Sequence, residues 1–243
     1  MDLRIPVLVY DQAGLAKFLN TLRGSGLLFN ATNVSSTVFS DSATWTASQI
    51  NQFRVFVIGS SDHINPAGLL ANTNVGATVN GNQVITGLHI EHVSTGGAPQ
   101  GTQFLINGIQ YAAQGAGKTG LFASTDGCGS CFGTSGTNTA WLDNAKSFLK
   151  DSQKDNIFGS SSAQIKVSRG ASANNIVIPS TTTTHPVNSG SGLVGGQSLT
   201  NANLSNWNQS AHSTFSNPPA ATGYQVIQRT SSGAAVTLVK PAP

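Results

Sequence analysis

Over the first 125 residues, short apolar runs alternate with stretches in which apolar side chains recur every three to four positions. That rhythm predicts strands and helices in turn, as in a parallel sheet covered by helices. Residues 3–10 predict a strand ending at Tyr10. Asp11 then caps a helix to about Leu22, with Leu15, Phe18, Leu19 and Leu22 on one face. Gly24 and Gly26 end it. A weaker strand falls within 27–38, Thr46 caps a short helix, and 54–59, Arg-Val-Phe-Val-Ile-Gly, reads as a buried strand. Residues 66–79 predict a helix with Pro66 in its first turn, Asn80-Gly81 a turn, and 83–87 a strand. A helix over 101–114 turns Phe104, Leu105, Ile109 and Ala112 inward, and 120–124 predicts the next strand.

The pattern loosens over about 126–223. A polar helix is expected near 141–154, β-like pieces at 164–167 and 176–178, and loops at 180–184 and 188–196. Residues 224–228 and 235–239 alternate around a Ser-Ser-Gly turn and predict a hairpin. No linker and no repeat interrupts the chain, so 1–243 reads as one α/β domain. Its expected architecture is flavodoxin-like: a mostly parallel sheet, helices on both faces and a C-terminal β-hairpin. Ligands of such sheets bind beyond the carboxyl ends of the strands, which directs attention to Asp11, Ser60 to His63, Leu88 to His92, and Asp126 to Cys131.

Charged residues make up only 9% of the chain, against about a quarter in ordinary domains. The surface is therefore largely Ser, Thr, Asn, Gln and Gly, which lacks the charge repulsion that keeps proteins apart. Such a surface suits a secreted protein or a cell-surface subunit that packs against copies of itself or other surface components. The net charge of +3 comes from 12 basic and 9 acidic residues without a basic cluster. Lys146, Lys150 and Lys154 interleave with Asp143, Asp151 and Asp155 as a solvated helix face, which argues against nucleic-acid binding. No apolar run approaches the roughly 18 residues of a membrane span. The opening residues carry no signal-peptide pattern, so export implies a leader removed from the mature chain.

Four constellations bear on chemistry. Residues 115–119, Gly-Ala-Gly-Lys-Thr, resemble a phosphate-binding loop, but Ala112 replaces the required first Gly, and a helix precedes where a strand is needed; a helix-ending turn explains them. Cys128 and Cys131, the only cysteines, have the spacing of a redox pair, half a zinc site or a disulfide. They sit in a Gly-rich loop with no second Cys pair, which favours a small structural disulfide and an oxidising compartment. His89 and His92 flank Glu91, the only glutamate, just past a strand. They form a candidate catalytic set as ligands or general bases, and His185 or His212 could complete a metal site with them, although histidines bound to local backbone are commoner. Finally, Asn30, Asn33, Asn203 and Asn208 begin glycosylation-type patterns that chance supplies in so polar a chain. No Gly-x-Ser-x-Gly elbow stands between a strand and a helix.

Residues 53–60 as central strand with a Gly exit, 82–89 as the strand leading to an elbow, and Thr184-His185-Pro186-Val187 followed by Gly192-Leu193 resemble the class I glutamine-amidotransferase-like superfamily, in its trehalose-utilisation-type branch. Leu204 to Trp207, His212 to Phe215 and the terminal hairpin are similar to domains of bacterial surface proteins sorted by a PEP-CTERM tail. The resemblance implies a flavodoxin-like fold and export. It does not carry over the activity, because the nucleophilic Cys of those enzymes has no counterpart in Gly87-Leu88-His89-Ile90, and the sorting tail is absent from Lys240-Pro241-Ala242-Pro243. The expectation is a non-catalytic secreted or cell-surface structural protein on a degenerate scaffold, self-assembling and needing no cofactor. The alternative is a hydrolase or metal-dependent enzyme using the His89, Glu91, His92 crevice. A carbohydrate-binding module has little support from three Trp and three Tyr.

Overall fold

Alternation along the early strands sorts their side chains onto two faces of one sheet. Val7 and Val9 of β1 (Ile5–Tyr10) enter one apolar cluster, and Leu8 and Tyr10 enter another. The same parity divides Val55 and Val57 from Phe56 and Ile58 in β3 (Val55–Ile58), Val84 from Ile85 in β4 (Gln83–Thr86), and Phe122 from Leu121 and Ala123 in β5 (Gly120–Ser124). Strands buried on both sides read as continuous apolar runs, which is why 54–59 and 120–124 were legible. A computed structural model describes residues 3–10, 13–34, 45–59, 73–90, 99–115, 117–125, 157–158, 161–173, 175–205 and 211–243.

The chain is α/β, with a large mixed sheet and few helices. The remaining strands are β2 (Phe29–Val34), β6 (Val167–Ala173), β7 (Ile176–Val177), β8 (Ala211–Phe215), β9 (Gln225–Thr230) and β10 (Ala235–Lys240). The sheet runs β2-β1-β3-β5-β4-β10-β8-β6, with β9 on β10 and β7 on β9. Its first half is parallel: β1 pairs with β2 and β3, and β5 with β3 and β4. From β10 onward all pairing is antiparallel. The order β2-β1-β3 is that of a flavodoxin, but β5 inserts between β3 and β4, where the flavodoxin order 2-1-3-4-5 has the fourth strand. The expected hairpin is present as β9 and β10, turned at Gly233 with φ 93°. Register shifts in β10 place Val236 and Val239 in one cluster and Leu238 in the other, the parity break a bulge produces.

Helices α1 (Ala13–Leu19), α2 (Ala47–Ile50), α3 (Thr73–Thr78), α4 (Pro99–Ala113), α5 (Pro186–Ser189) and α6 (Asn201–Ser205) complete the described elements. Leu15 and Leu19 of α1 and Phe104, Leu105, Ile109 and Ala112 of α4 join the Val7 cluster, whereas Ile50 of α2 and Val75 of α3 join the Leu8 cluster. Fully buried Phe104 and Phe122 pack with ring centroids 5.8 Å apart; such burial stabilises by about 1.5–3 kcal/mol per side chain. Thr46 begins α2 as expected, its N–H donating to Gln49 Oε1 at 2.8 Å. Arg54 ends α4 by donating to the carbonyls of Ala113 (2.7 Å) and Gly115 (3.0 Å). Gly117, with φ 67°, then turns the chain toward β5, so 115–119 connects a helix to a strand, as the non-phosphate reading requires.

The segment 179–200, within which 180–184 and 188–196 were expected as loops, contains a 3-10 turn at Ser180–Thr182 and the short α5, and is strapped onto α4 by amides. Asn107 Nδ2 donates to the carbonyls of Val187 (3.0 Å) and Gln197 (2.9 Å). Gln103 Nε2 donates to Asn107 Oδ1 at 2.8 Å. Gln103, Asn107, Gln110 and Gln114 follow one another at helical spacing, so a polar stripe on α4 takes up backbone groups that would otherwise be buried without partners. β8 was not expected; its apolar content, Ala211 and Phe215, is too sparse to announce a strand.

Candidate functional site

The position where the sequence places an elbow is the exit of β4, Gly87 to His89. Gly87 is closed in. Its N–H donates to the Val236 carbonyl at 2.9 Å, and a Cβ on it would stand 1.9 Å from the Ser213 carbonyl oxygen of β8. Leu88 is fully buried and pairs with Ala211 as an antiparallel bridge. The backbone of β8 therefore occupies the space in front of the turn.

Hydroxyl groups fix this exit. Thr86 Oγ1 receives the Leu88 N–H at 3.1 Å and meets Thr237 Oγ1 at 2.9 Å. Ser124 Oγ donates to the Leu88 carbonyl at 2.8 Å, and Ser213 Oγ donates to the Thr125 carbonyl at 2.9 Å while lying 2.7 Å from Thr125 Oγ1. Thr237 Oγ1 donates to Gln228 Oε1 at 2.6 Å, and Gln228 Nε2 donates to Asn188 Oδ1 at 3.0 Å. All of these residues are buried. A buried polar group left unpaired is costly, so a connected chain of neutral groups holds β4, β10, β9 and α5 in one arrangement. Below it, Tyr224 Oη donates to Gln83 Oε1, and burial raises the phenol pKa, keeping the hydroxyl protonated as a donor.

The candidate histidines separate into two places. His89 follows the carboxyl end of β4, is half-buried, and its Nδ1 is enclosed by protein. His212 follows Ala211, the antiparallel bridge partner of Leu88, so its backbone on β8 lies at the β4 exit, opposite Gly87. His185 sits elsewhere, against Tyr111 of α4, with ring centroids 4.8 Å apart. The Tyr111 carbonyl is bound by Asn82 at the amino end of β4, the opposite end from His89. His185 is the N-cap of α5: its Nδ1 receives the Val187 N–H at 3.3 Å, and burial lowers its pKa. The structure thus gives His185 a capping role and does not bring it to His89. Glu91, His92, Cys128, Cys131, Asp11, residues 60–63 and Asp126 lie outside the described residues, as does the expected helix at 141–154.

Among the described residues no group of three or more His, Cys, Asp or Glu could hold a metal ion, and no helix is long and apolar enough to cross a membrane. Every Asp and Glu of the chain lies outside the described residues, whereas of the Lys and Arg only Lys146, Lys150 and Lys154 do. The hydroxyl chain and the amide stripe were missed in the sequence; the one available signal was the 4-3-4 spacing of Gln103, Asn107 and Gln110 within α4 and Gln114 just past its end.

No protein-family model matches the chain, nor does any curated protein or solved structure.

Proposed function

We propose that this chain is a non-catalytic secreted or cell-surface structural protein, a self-associating subunit built as one domain on a degenerate amidotransferase-like scaffold. The observation that carries the reading is the closed exit of β4. An amidotransferase needs a nucleophile there with open space before it; here Leu88 is buried and β8 lies against Gly87. The neutral groups around it bond to each other and to backbone, which suits a stable frame more than a reacting site. We take the scaffold to be flavodoxin-like, with helices on both faces, supported by α1 and α4 in one apolar cluster and α2 and α3 in the other. Cys128 and Cys131 are proposed to form a disulfide in the export compartment. A glutaminase assay tests the loss of chemistry: no ammonia release above buffer is expected, and release abolished by His89→Ala would overturn it.

A second reading, a hydrolase or metal-dependent enzyme at His89, Glu91 and His92, is favoured by one observation. Asp11, Glu91 and Asp126 all follow the carboxyl ends of parallel strands in the chain, the side where such sheets bind ligands. Zinc titration by calorimetry distinguishes the two: stoichiometric binding lost in His89→Ala and His92→Ala would favour the enzyme.

A further inference from the structure

β2 is the outermost described strand of the parallel half, and it carries none of the usual defences of a sheet edge: Phe29-Asn30-Ala31-Thr32-Asn33-Val34 contains no charge and no proline. Its residues alternate in the side their backbone groups face. The Ile5 N–H donates to the Leu28 carbonyl at 2.9 Å, so residues 28, 30 and 32 turn their backbone groups toward β1, and 29, 31 and 33 turn theirs outward. Ala31 is the middle one of the outward set. Asn20, just past the end of α1, holds it by both atoms of its carboxamide: Nδ2 donates to the Ala31 carbonyl at 2.9 Å, and the Ala31 N–H donates to Oδ1 at 2.7 Å. Donating to and accepting from one residue is the exchange that a directly opposed residue of an antiparallel strand makes. The carboxamide therefore fills the place of a strand at the centre of this edge.

We propose that Asn20 is an autoinhibitory cap on β2, which keeps a second copy of this chain from adding its own β2 to the sheet. The occupant follows from symmetry. Outward residues 29, 31 and 33 are spaced evenly about Ala31, so two β2 strands related by a two-fold axis meet with Ala31 opposite Ala31 and exchange both hydrogen bonds, an isologous contact. Asn30 and Thr32 are exposed, and no like charges on the strand oppose the approach. With Asn20 in place, the incoming Ala31 finds its donor and acceptor already taken. The cap stands apart from the self-associating reading: whatever face joins copies of the wild type, it is not this edge.

Sedimentation velocity over a concentration series, with hydrogen exchange at the Ala31 amide, tests it on the full chain. Asn20→Ala is expected to raise the apparent dimerisation constant at least about tenfold, since two hydrogen bonds no longer compete with the incoming strand. Its Ala31 amide should exchange fast when dilute and regain protection as the concentration rises. In the wild type that amide should be protected at every concentration. Ala31→Pro removes the outward N–H while sparing the bonds to β1, and added to Asn20→Ala it should return the dimerisation constant to the wild-type value. Should Asn20→Ala fail to fold, Asn20→Ser, too short to hold both groups at once, takes its place. An Asn20 variant that associates no more than wild type, or one whose association survives Ala31→Pro, would overturn the cap. So would wild-type assembly abolished by Ala31→Pro alone, because the edge would then already be in use. A wild type that stays monomeric while Asn20→Ala dimerises would support the cap and overturn the self-associating reading.

Discussion

Gln110 holds Val194 by both atoms of its carboxamide: Nε2 donates to the Val194 carbonyl at 2.6 Å, and the Val194 N–H donates to Oε1 at 2.9 Å. The side chain thus stands where a neighbouring strand would pair. Gln110→Ala leaves both backbone groups without that partner and is expected to cost about 1–3 kcal/mol. The check is chemical denaturation together with hydrogen exchange, in which amides of 192–197 should lose protection while those of β1 and β3 keep theirs. Unchanged protection at Val194 would count against the strap.

A pH dependence follows from His185. Its Nδ1 can accept the Val187 N–H only while unprotonated, and burial lowers its pKa below that of the unfolded chain. Between the folded value and the unfolded value of about 6.5, the unfolded chain binds more protons. The contribution of His185 is therefore complete above the unfolded pKa and is lost as pH falls through that window. Of the described elements packed with it, α4 carries Tyr111 as its titratable group and contains no Asp or Glu. His185→Asn keeps a capping acceptor without the titration. Its denaturation midpoint should fall less than that of wild type between about pH 7.5 and pH 4.5, the range over which histidine titrates. Identical slopes would exclude His185 as a source of acid sensitivity.

Gly87 has no room for a side chain. Gly87→Ala would press Cβ into the Ser213 carbonyl, rigid backbone on a buried strand, and is expected to cost about 3 kcal/mol or more. Gly14, with nothing within 4 Å of its Cβ position, is the control, and Gly14→Ala should be stabilising or neutral. A thermal melt of both variants decides it; an unaffected Gly87→Ala would mean that β8 does not close the β4 exit.

Thr86 and Thr237 face each other across β4 and β10 with their hydroxyls 2.9 Å apart. Thr237→Val leaves Gln228 Oε1 without its donor and should cost about 1–3 kcal/mol. In a double-mutant cycle with Thr86→Val the pair should couple by about 0.5–3 kcal/mol. Additive single costs would show that the hydroxyls act independently.

The parallel half was readable because its strands are buried on both sides: runs such as Val55 to Ile58 and Gly120 to Ser124 admit few other structures, and Phe104 to Ala112 keep a helical period. The antiparallel half was readable at its hairpin and at β7, expected at 176–178, while the piece expected at 164–167 meets β6 only at Val167. β8, with Ala211, Ser213 and Phe215, gains its strand character from pairing with β6, β10 and Leu88, a tertiary cause that no local pattern records. The insertion of β5 between β3 and β4 is likewise invisible to periodicity, since either order buries the same residues. His185 illustrates the same limit at the site. Its residue type alone made it a distant candidate metal ligand, and only its position beside Tyr111 and Val187 identifies a helix cap.

The most direct test of the structural-subunit reading is negative-stain electron microscopy of the purified protein, paired with light scattering over a concentration series. Ordered filaments, sheets or rings that grow with concentration are the expected result. A monomer at every concentration, with stoichiometric zinc binding at His89 and His92, would contradict it and return the carboxyl end of the sheet to catalysis.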